Sequence, residues 1–401
     1  MNIYRFVKLL HNIYAAKEPD LDFIQETGLL AVKIGQMHAV RIDFLPADKC
    51  KKLAQLYRKT VPLPAEDAKK LFEQLASQKL KDELEFFDEK PLASASVGQV
   101  HRGRLRSGEE IVIKMIKRRV RDQFVKEVQQ VKKYFKWAMM FYPKLKGVAN
   151  PQGLLDMIER STLSELDLAH EAAGQKILRD IFIANKDKYD LSLLKFPKVY
   201  EELSGERIMV TEFIEGRTVD ELLEVDGLDY EVLLDLFHVH GFYMFQVGTF
   251  HGDIHPGNVI FTNGRIFFVD TGYIGRVEDY IRIGLFNFFE NLSYYKYKEC
   301  AYYLNEMAEK KIEGQAFADF EKNFLELYKD FKGKSVSEIS LTKMMMRTIK
   351  LGVLSGMEFS ESIFDIIKSL MYMDGMVLRC NPDAVLMEDM RKFIGELKPN
   401  I

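Results

Sequence analysis

The sequence predicts an α+β chain of two lobes with a helical N-terminal extension, and three observations carry that reading. Residues 1–80 show helical spacing, with Pro62-Leu63-Pro64 as a break that starts a further helix at Ala65-Glu66. Residues 81–212 hold runs of period two, seen best in Glu110-Ile111-Val112-Ile113-Lys114, together with an inserted helical stretch. Residues 213–401 are helical except for one short hairpin around Gly264. At 401 residues with 47% hydrophobic content, the chain can bury the core that two lobes require.

Each element follows from local pattern. In the extension, Lys33-Ile34-Gly35-Gln36 puts Lys33 and Gln36 three apart, on one helix face. Val97 to Leu105 and Glu110 to Lys114 read as strands joined by Ser107-Gly108. Alternation sets Val112 and Lys114 on one face of the second strand, with Ile111 and Ile113 on the other. Lys132 to Lys146 mixes lysines with Tyr134, Phe135, Trp137 and Phe141. It reads first as an amphipathic helix packed on its own lobe, with contact to anionic lipid as the competing reading. Ser164 to Asp180 reads as one helix in which Asp167 and Glu171, four apart, share a face that Glu165 does not. Met209 to Gly216 reads as strand, hinge and turn. Val259-Ile260-Phe261 and Ile266 to Val269 read as a hairpin turning at Thr262-Asn263-Gly264-Arg265, which returns Asn258 and Asp270 to the same end. Met344-Met345-Met346 reads as core filler.

The chemistry lies around that hairpin. His251-Gly252-Asp253-Ile254-His255-Pro256-Gly257-Asn258, followed by Asp270-Thr271-Gly272, sets an Asp, an Asn and a second Asp at phosphoryl-transfer spacing. Such a transfer needs little covalent help: one Asp meets the nucleophile, while an Asn five residues later and an Asp-x-Gly carboxylate hold Mg²⁺. Asp253, Asn258 and Asp270 fill those places. Lys114 is then the candidate phosphate lysine, Glu171 its acidic partner, and Asp253, Lys114 and Glu171 the catalytic set. Nucleotide contacts fall to Ala93, Ser94, Ala95 and Ser96 ahead of the first strand, to Val100 and Val112 facing adenine, and to backbone near Glu212 and Ile214 at the hinge. Alanine and serine stand where a phosphate loop is usually glycine-rich, so a different loop shape is expected.

These motifs together resemble the UbiB/AarF/ADCK family of atypical, protein-kinase-like proteins. Lys33-Ile34-Gly35-Gln36 is similar to its Lys-x-Gly-Gln segment, and Leu45-Pro46 with Val61-Pro62 follows as in the family. Ala93-Ser94-Ala95-Ser96 resembles its alanine-rich loop, with Ser94 replacing one alanine; Glu165-Leu166-Asp167 matches Glu-x-Asp, and His251 to Asn258 matches the catalytic loop. The likeness runs from about residue 25 to about residue 388. It implies a bilobal protein-kinase-like fold with the N-terminal helical extension (1–80) packed over the active-site cleft, a kinase-like N-lobe (81–212) and a helical C-lobe (213–401). It further implies regulatory roles for Lys33, Gln36, Glu165 and Asp167, with Lys33 facing the Glu-x-Asp carboxylates. ATP or ADP with Mg²⁺ is the implied cofactor. ATP hydrolysis or transfer to a lipid or quinone precursor, in isoprenoid-quinone or membrane-lipid metabolism, is the implied activity in preference to protein phosphorylation. Two departures stand out: Thr271 replaces the usual Phe after Asp270, and many bacterial members continue into hydrophobic C-terminal segments that this chain is expected to lack.

Composition narrows the alternatives. A net charge of −3 argues against a nucleic-acid binder. Cys50, Cys300 and Cys380 are too scattered for a zinc motif or a disulfide framework and fit a cytoplasmic protein, with peripheral membrane contact left open. No leader pattern follows Met1, and no apolar run reaches spanning length. The competing classes are a nucleotide-binding scaffold without turnover and a small-molecule phosphotransferase of the aminoglycoside or choline kinase type, which shares a His-Gly-Asp loop.

Overall fold

The computed structural model describes residues 1–39, 45–57, 62–94, 97–117, 120–141 and 151–398. The chain forms two compact units, Met1–Ala173 with Pro197–Phe213, and Gly174–Phe196 with Ile214–Ile401.

The first unit opens with α1 (Ile3–Leu10), α2 (Leu21–Thr27), α3 (Leu29–Ala39) and α4 (Ala47–Ala54). Asn2 and Asp20 start α1 and α2 by accepting backbone N–H groups three residues on, as N-caps do. The apolar stripes of these helices, among them Leu9, Ile24, Leu30 and Ile34, close a core with Phe124, Val128 and Val131 of α7 (Val120–Phe141). After α5 (Ala65–Leu75) and α6 (Gln78–Glu83) come β1 (Leu84–Ser94), β2 (Gly98–Leu105) and β3 (Glu110–Ile116). Helices α8 (Pro151–Glu165) and α9 (Leu168–Asn185) precede β4 (Ile208–Glu212), which completes an antiparallel sheet of order β1-β2-β3-β4. Ile111, Ile113 and Met115 face a core with Leu71, Phe72 and Val210, so Val112 and Lys114 take the other face as alternation requires.

The single helix expected over Ser164–Asp180 is two. Asp167 Oδ1 accepts from Ala169 N at 3.0 Å and His170 N at 3.4 Å, so Asp167 caps α9 and α8 stops before it. An aspartate that can bond the backbone ahead of it favours a start over continuation.

In the mixed lysine and aromatic stretch, packing accounts for much of the sequence. Phe6 meets Tyr134 and Phe135 with ring centroids 5.9 and 5.3 Å apart, and Lys132 pairs with Asp156 at 2.6 Å. Trp137 stays 63% exposed. Residues 142–146 of that stretch lie outside the described residues.

The second unit adds α10 (Val219–Glu224), α11 (Tyr230–Gly241), β5 (Thr249–His251), β6 (Val259–Thr262), β7 (Arg265–Phe268) and β8 (Ile274–Arg276). Helices α12 (Asp279–Ser293), α13 (Tyr297–Glu306), α14 (Gly314–Tyr328), α15 (Leu341–Leu354) and α16 (Ser362–Cys380) follow. Residues 213–401 are less purely helical than expected. Besides the β6-β7 hairpin, β5 pairs with β8, and the two-residue strands Leu194–Lys195 and Arg217–Thr218 flank the hairpin. These are too short to leave a periodic signature. A core rich in phenylalanine, with Phe324 stacked on Tyr328 at 4.5 Å, holds the helices, and Met344, Met345 and Met346 are buried in it. All three cysteines are free thiols. Among the described residues no helix is long and apolar enough to cross a membrane.

Candidate phosphoryl-transfer site

In the first unit, the sheet register sets Ala93 opposite Val100 and Val100 opposite Lys114, and directly opposed residues share a face. The same face carries Val112. Lys114 Nζ donates to Glu171 Oε2 at 2.6 Å, and both side chains are largely buried, 18% and 6% exposed. Glu171 sits in the first turn of α9, where Asp167 has just begun the helix. Gly98 admits the close approach of β2 to β3: a Cβ there would lie 2.5 Å from Met115 O. Ser94 Oγ accepts from Lys117 Nζ at 3.4 Å, and burial lowers the pKa of Lys117. Ala95 and Ser96, the rest of the alanine-rich loop, lie outside the described residues.

At the hinge, Glu212 N donates to Lys198 O and Phe213 N to Glu110 O. These bonds use two of the backbone donors that sequence reasoning offered to adenine. Ile214, in the second unit, is buried.

The Lys33 side chain of α3 is only 13% exposed. Its ammonium is paired with Glu165, the first residue of Glu-x-Asp, at the C-terminus of α8. Asp167 caps α9 as described above. Gln36 Nε2 donates to Leu56 O at 3.1 Å and is buried with it, anchoring the extension to its own core. The buried Asn12 forms a second anchor by exchanging two bonds with the Asp20 backbone.

In the second unit, β6 and β7 pair from Val259↔Phe268 to Thr262↔Arg265 around Asn263 and Gly264, both at positive φ. That is the turn chemistry a two-residue hairpin demands. Val269 N donates to Asn258 O at 3.0 Å, which fixes Asn258 beside the strand leading to Asp270. Asp270 itself has φ 53, a left-handed conformation that an L-residue adopts at a cost and that functional sites often retain.

His251 is fully buried and ties the two acidic loops together. Its Nε2 donates to Val269 O at 3.0 Å, while Nδ1 accepts from Asp253 N at 3.2 Å. Burial holds its pKa down, so the neutral tautomer with the proton on Nε2 satisfies both contacts. Asn258 Nδ2 donates to Asp253 O at 3.0 Å and stands 3.4 Å from Asp253 Oδ2. Lys368 Nζ of α16 lies 2.8 Å from Asp253 Oδ1 as an ion pair. Burial pushes the Asp253 carboxyl upward, but Lys368, with His251 and His255, holds it below the usual carboxylate range. Tyr273 OH, three residues after Asp270, donates to Asp365 Oδ1 at 2.7 Å.

Two oxygen ligands on separate loops suit Mg²⁺, which keeps waters and takes further oxygens from phosphate. Among the described residues no group of three or more His, Cys, Asp and Glu is placed to hold a metal ion. The donor set fits the implied ion.

Residues 55–304 match the ABC1 atypical kinase-like domain. The chain belongs to the UbiB/ADCK family. Its relatives in that family include a probable protein kinase UbiB of Pseudomonas aeruginosa, 27% identical over 396 residues, covering 92% of this chain and 70% of the relative. A chloroplastic ACTIVITY OF BC1 COMPLEX KINASE 8 of Arabidopsis thaliana is 30% identical over 274 residues, covering 66% of this chain and 35% of that protein. Among solved structures, Rv3197 of Mycobacterium tuberculosis, determined as its erythromycin complex, superposes with a TM-score of 0.54 at 19% identity over 95% of both chains. That likeness supports the kinase-like fold of the UbiB/ADCK family expected from the motifs.

Three contributors escaped sequence reasoning. His251 was visible within the catalytic octapeptide, yet its role as a spacer needs Val269 beside it. Lys368 and Asp365 lie far along the chain and reach the site only through α16.

Proposed function

We propose that this UbiB/ADCK-family chain is a Mg²⁺-dependent, ATP-binding atypical kinase or ATPase that serves isoprenoid-quinone biosynthesis or membrane-lipid homeostasis. One observation carries the reading: a single hairpin gathers Asn258 and the left-handed Asp270 beside Asp253. In this reading Lys114 contacts the α- and β-phosphates and Glu171 keeps its ammonium oriented. Asn258 and Asp270 offer oxygens to Mg²⁺, which supplies charge neutralisation at the phosphates. Asp253 positions the attacking hydroxyl or water, and His251 fixes the spacing between Asp253 and the Asp270 loop. A lipid or quinone precursor is the acceptor class, and the exposed Trp137 is a candidate point for peripheral membrane contact.

The test is thermal unfolding with ATP and with ADP, each with and without Mg²⁺, on wild type and Asp270→Asn. A ligand at about a hundred times its dissociation constant adds roughly 2.7 kcal/mol to stability. A Mg²⁺-dependent rise in Tm that vanishes in Asp270→Asn supports the reading. No rise with either nucleotide replaces it with a scaffold that has lost the site.

A further inference from the structure

Asp365, Lys368 and Tyr372 stand at helical spacings of three and four on α16, so they occupy one face. All three meet the catalytic segments. Asp365 accepts from Tyr273 OH, Lys368 pairs with Asp253, and the Tyr372 ring meets the His255 ring edge-on at 5.3 Å. The Lys368 ammonium also lies over the rings of Tyr273 and Tyr372, 5.3 and 5.8 Å from their centroids. Aromatic faces on two sides and a carboxylate on a third leave the cation little freedom to wander.

The two ends of the Asp253 carboxylate differ in consequence. Oδ1, the oxygen under Lys368, is buried, yet the Asp253 side chain as a whole remains 33% exposed. Its accessible part is therefore the rest of the group, where Oδ2 lies near Asn258. A carboxylate free to spin about its Cβ–Cγ bond would present either oxygen in turn. One pinned by a cation on one side presents the other steadily.

We infer that Lys368 is a positioning residue for the proposed phosphoryl transfer: it fixes Oδ1 inward so that Oδ2 meets the nucleophile, and the Asp365 and Tyr372 contacts hold α16 in register with both catalytic loops. The inference rests on the ATPase or kinase reading above. Lys368 acts through Asp253 and makes no demand on nucleotide binding, so its removal affects turnover and spares affinity. Misplacing a reacting group by about 1 Å can cost on the order of a hundredfold in rate.

The experiment is steady-state MgATP hydrolysis by the full chain, with water as acceptor, for wild type, Lys368→Met and Lys368→Arg, with the Tm rise on adding MgADP measured alongside. Lys368→Met is expected to lower kcat by roughly ten- to a hundredfold, to leave KM within about threefold, and to keep the MgADP response. Lys368→Arg, which retains the charge, is expected to recover most of kcat. A Lys368→Met variant with wild-type kcat, or one that loses turnover and the MgADP response together, overturns the inference, as does an Arg variant no better than Met. Lys368→Gln takes the place of Met should Met fail to fold. Wild type that binds MgADP but consumes no MgATP, with water alone or with a lipid or quinone-precursor acceptor added, overturns the enzymatic reading and this inference with it, whereas active wild type with an unaffected Lys368→Met overturns the inference alone.

Discussion

Substituting Gly252 by alanine is the sharpest test of how the catalytic loop is packed. A Cβ at Gly252 would sit 2.3 and 2.7 Å from two ring carbons of Tyr273 and 2.9 Å from the backbone N of Gly275. Carbon atoms pack best at about 3.5–4.0 Å, so relief requires a shift of about 1 Å. Neither neighbour yields easily. Gly275 is a β8 residue paired with Phe250, and the Tyr273 ring is held at its far end by Asp365. Overpacking of this kind costs about 1–3 kcal/mol. Swinging Tyr273 aside would break its bond to a carboxylate, about 1.5–3 kcal/mol more at full strength. Against this, Ala in place of Gly stiffens the unfolded chain and returns about 0.4–1 kcal/mol. The expected net loss is about 2–4 kcal/mol, or a Tm lower by about 5–12 °C at the few degrees per kcal/mol typical of larger domains. Differential scanning calorimetry measures it. Gly375→Ala in α16, where nothing lies within 4 Å, is the control and should gain up to about 1 kcal/mol. A Gly252→Ala protein as stable as wild type would refute the packing argument.

Two further outcomes concern charge. Glu171→Leu or Lys114→Met alone removes the ion pair from a largely buried charge and should cost about 2–4 kcal/mol in urea unfolding, while the paired replacement Lys114→Met with Glu171→Leu should recover part of it; additive losses would mean that the two do not interact. His240 is buried, neither ring nitrogen has a hydrogen-bond partner among the described residues, and burial followed by the neighbouring His251 pushes its pKa down to about 3. The unfolded chain then binds the proton that the folded chain refuses, so this contribution is complete above pH 6.5 and declines below it by up to about 1.4 kcal/mol per pH unit until about pH 3. Denaturant titrations from pH 7 to pH 4 should show that slope reduced in His240→Leu; an unchanged slope would assign the acid sensitivity to other groups.

Much of the site was legible because its residues lie close together in sequence or at fixed offsets. Asp253, Asn258 and Asp270 are joined by one hairpin, and Asn263-Gly264 announces its turn. Lys114 was readable from strand alternation, and its partner Glu171 from the acidic helix face it shares with Asp167. The helix break at Asp167 was misread because charged residues continue a helical pattern while the cap depends on a local side-chain bond. The residues alone offered Lys33 no partner, because Glu165 is remote in sequence, and only the family resemblance supplied it. Lys368 had no local signal: a lysine in an amphipathic helix is ordinary until the helix packs its polar stripe against a catalytic loop.

The order in which strands enter the sheet shapes how the chain is made. Strand β3 pairs with β4, joining Met115 to Ile208, and residues assigned to the second unit are synthesised before β4 is. Closing a loop of that length costs about 4 kcal/mol in chain entropy beyond the constant term. On a ribosome, the first sheet waits with β3 as an open edge until the hinge strand emerges, and by then the first segment of the second unit is already present. Neither unit can be expressed by one cut, because each has the other's sequence threaded through it; separable halves would need a permuted chain in which β4 follows β3 directly.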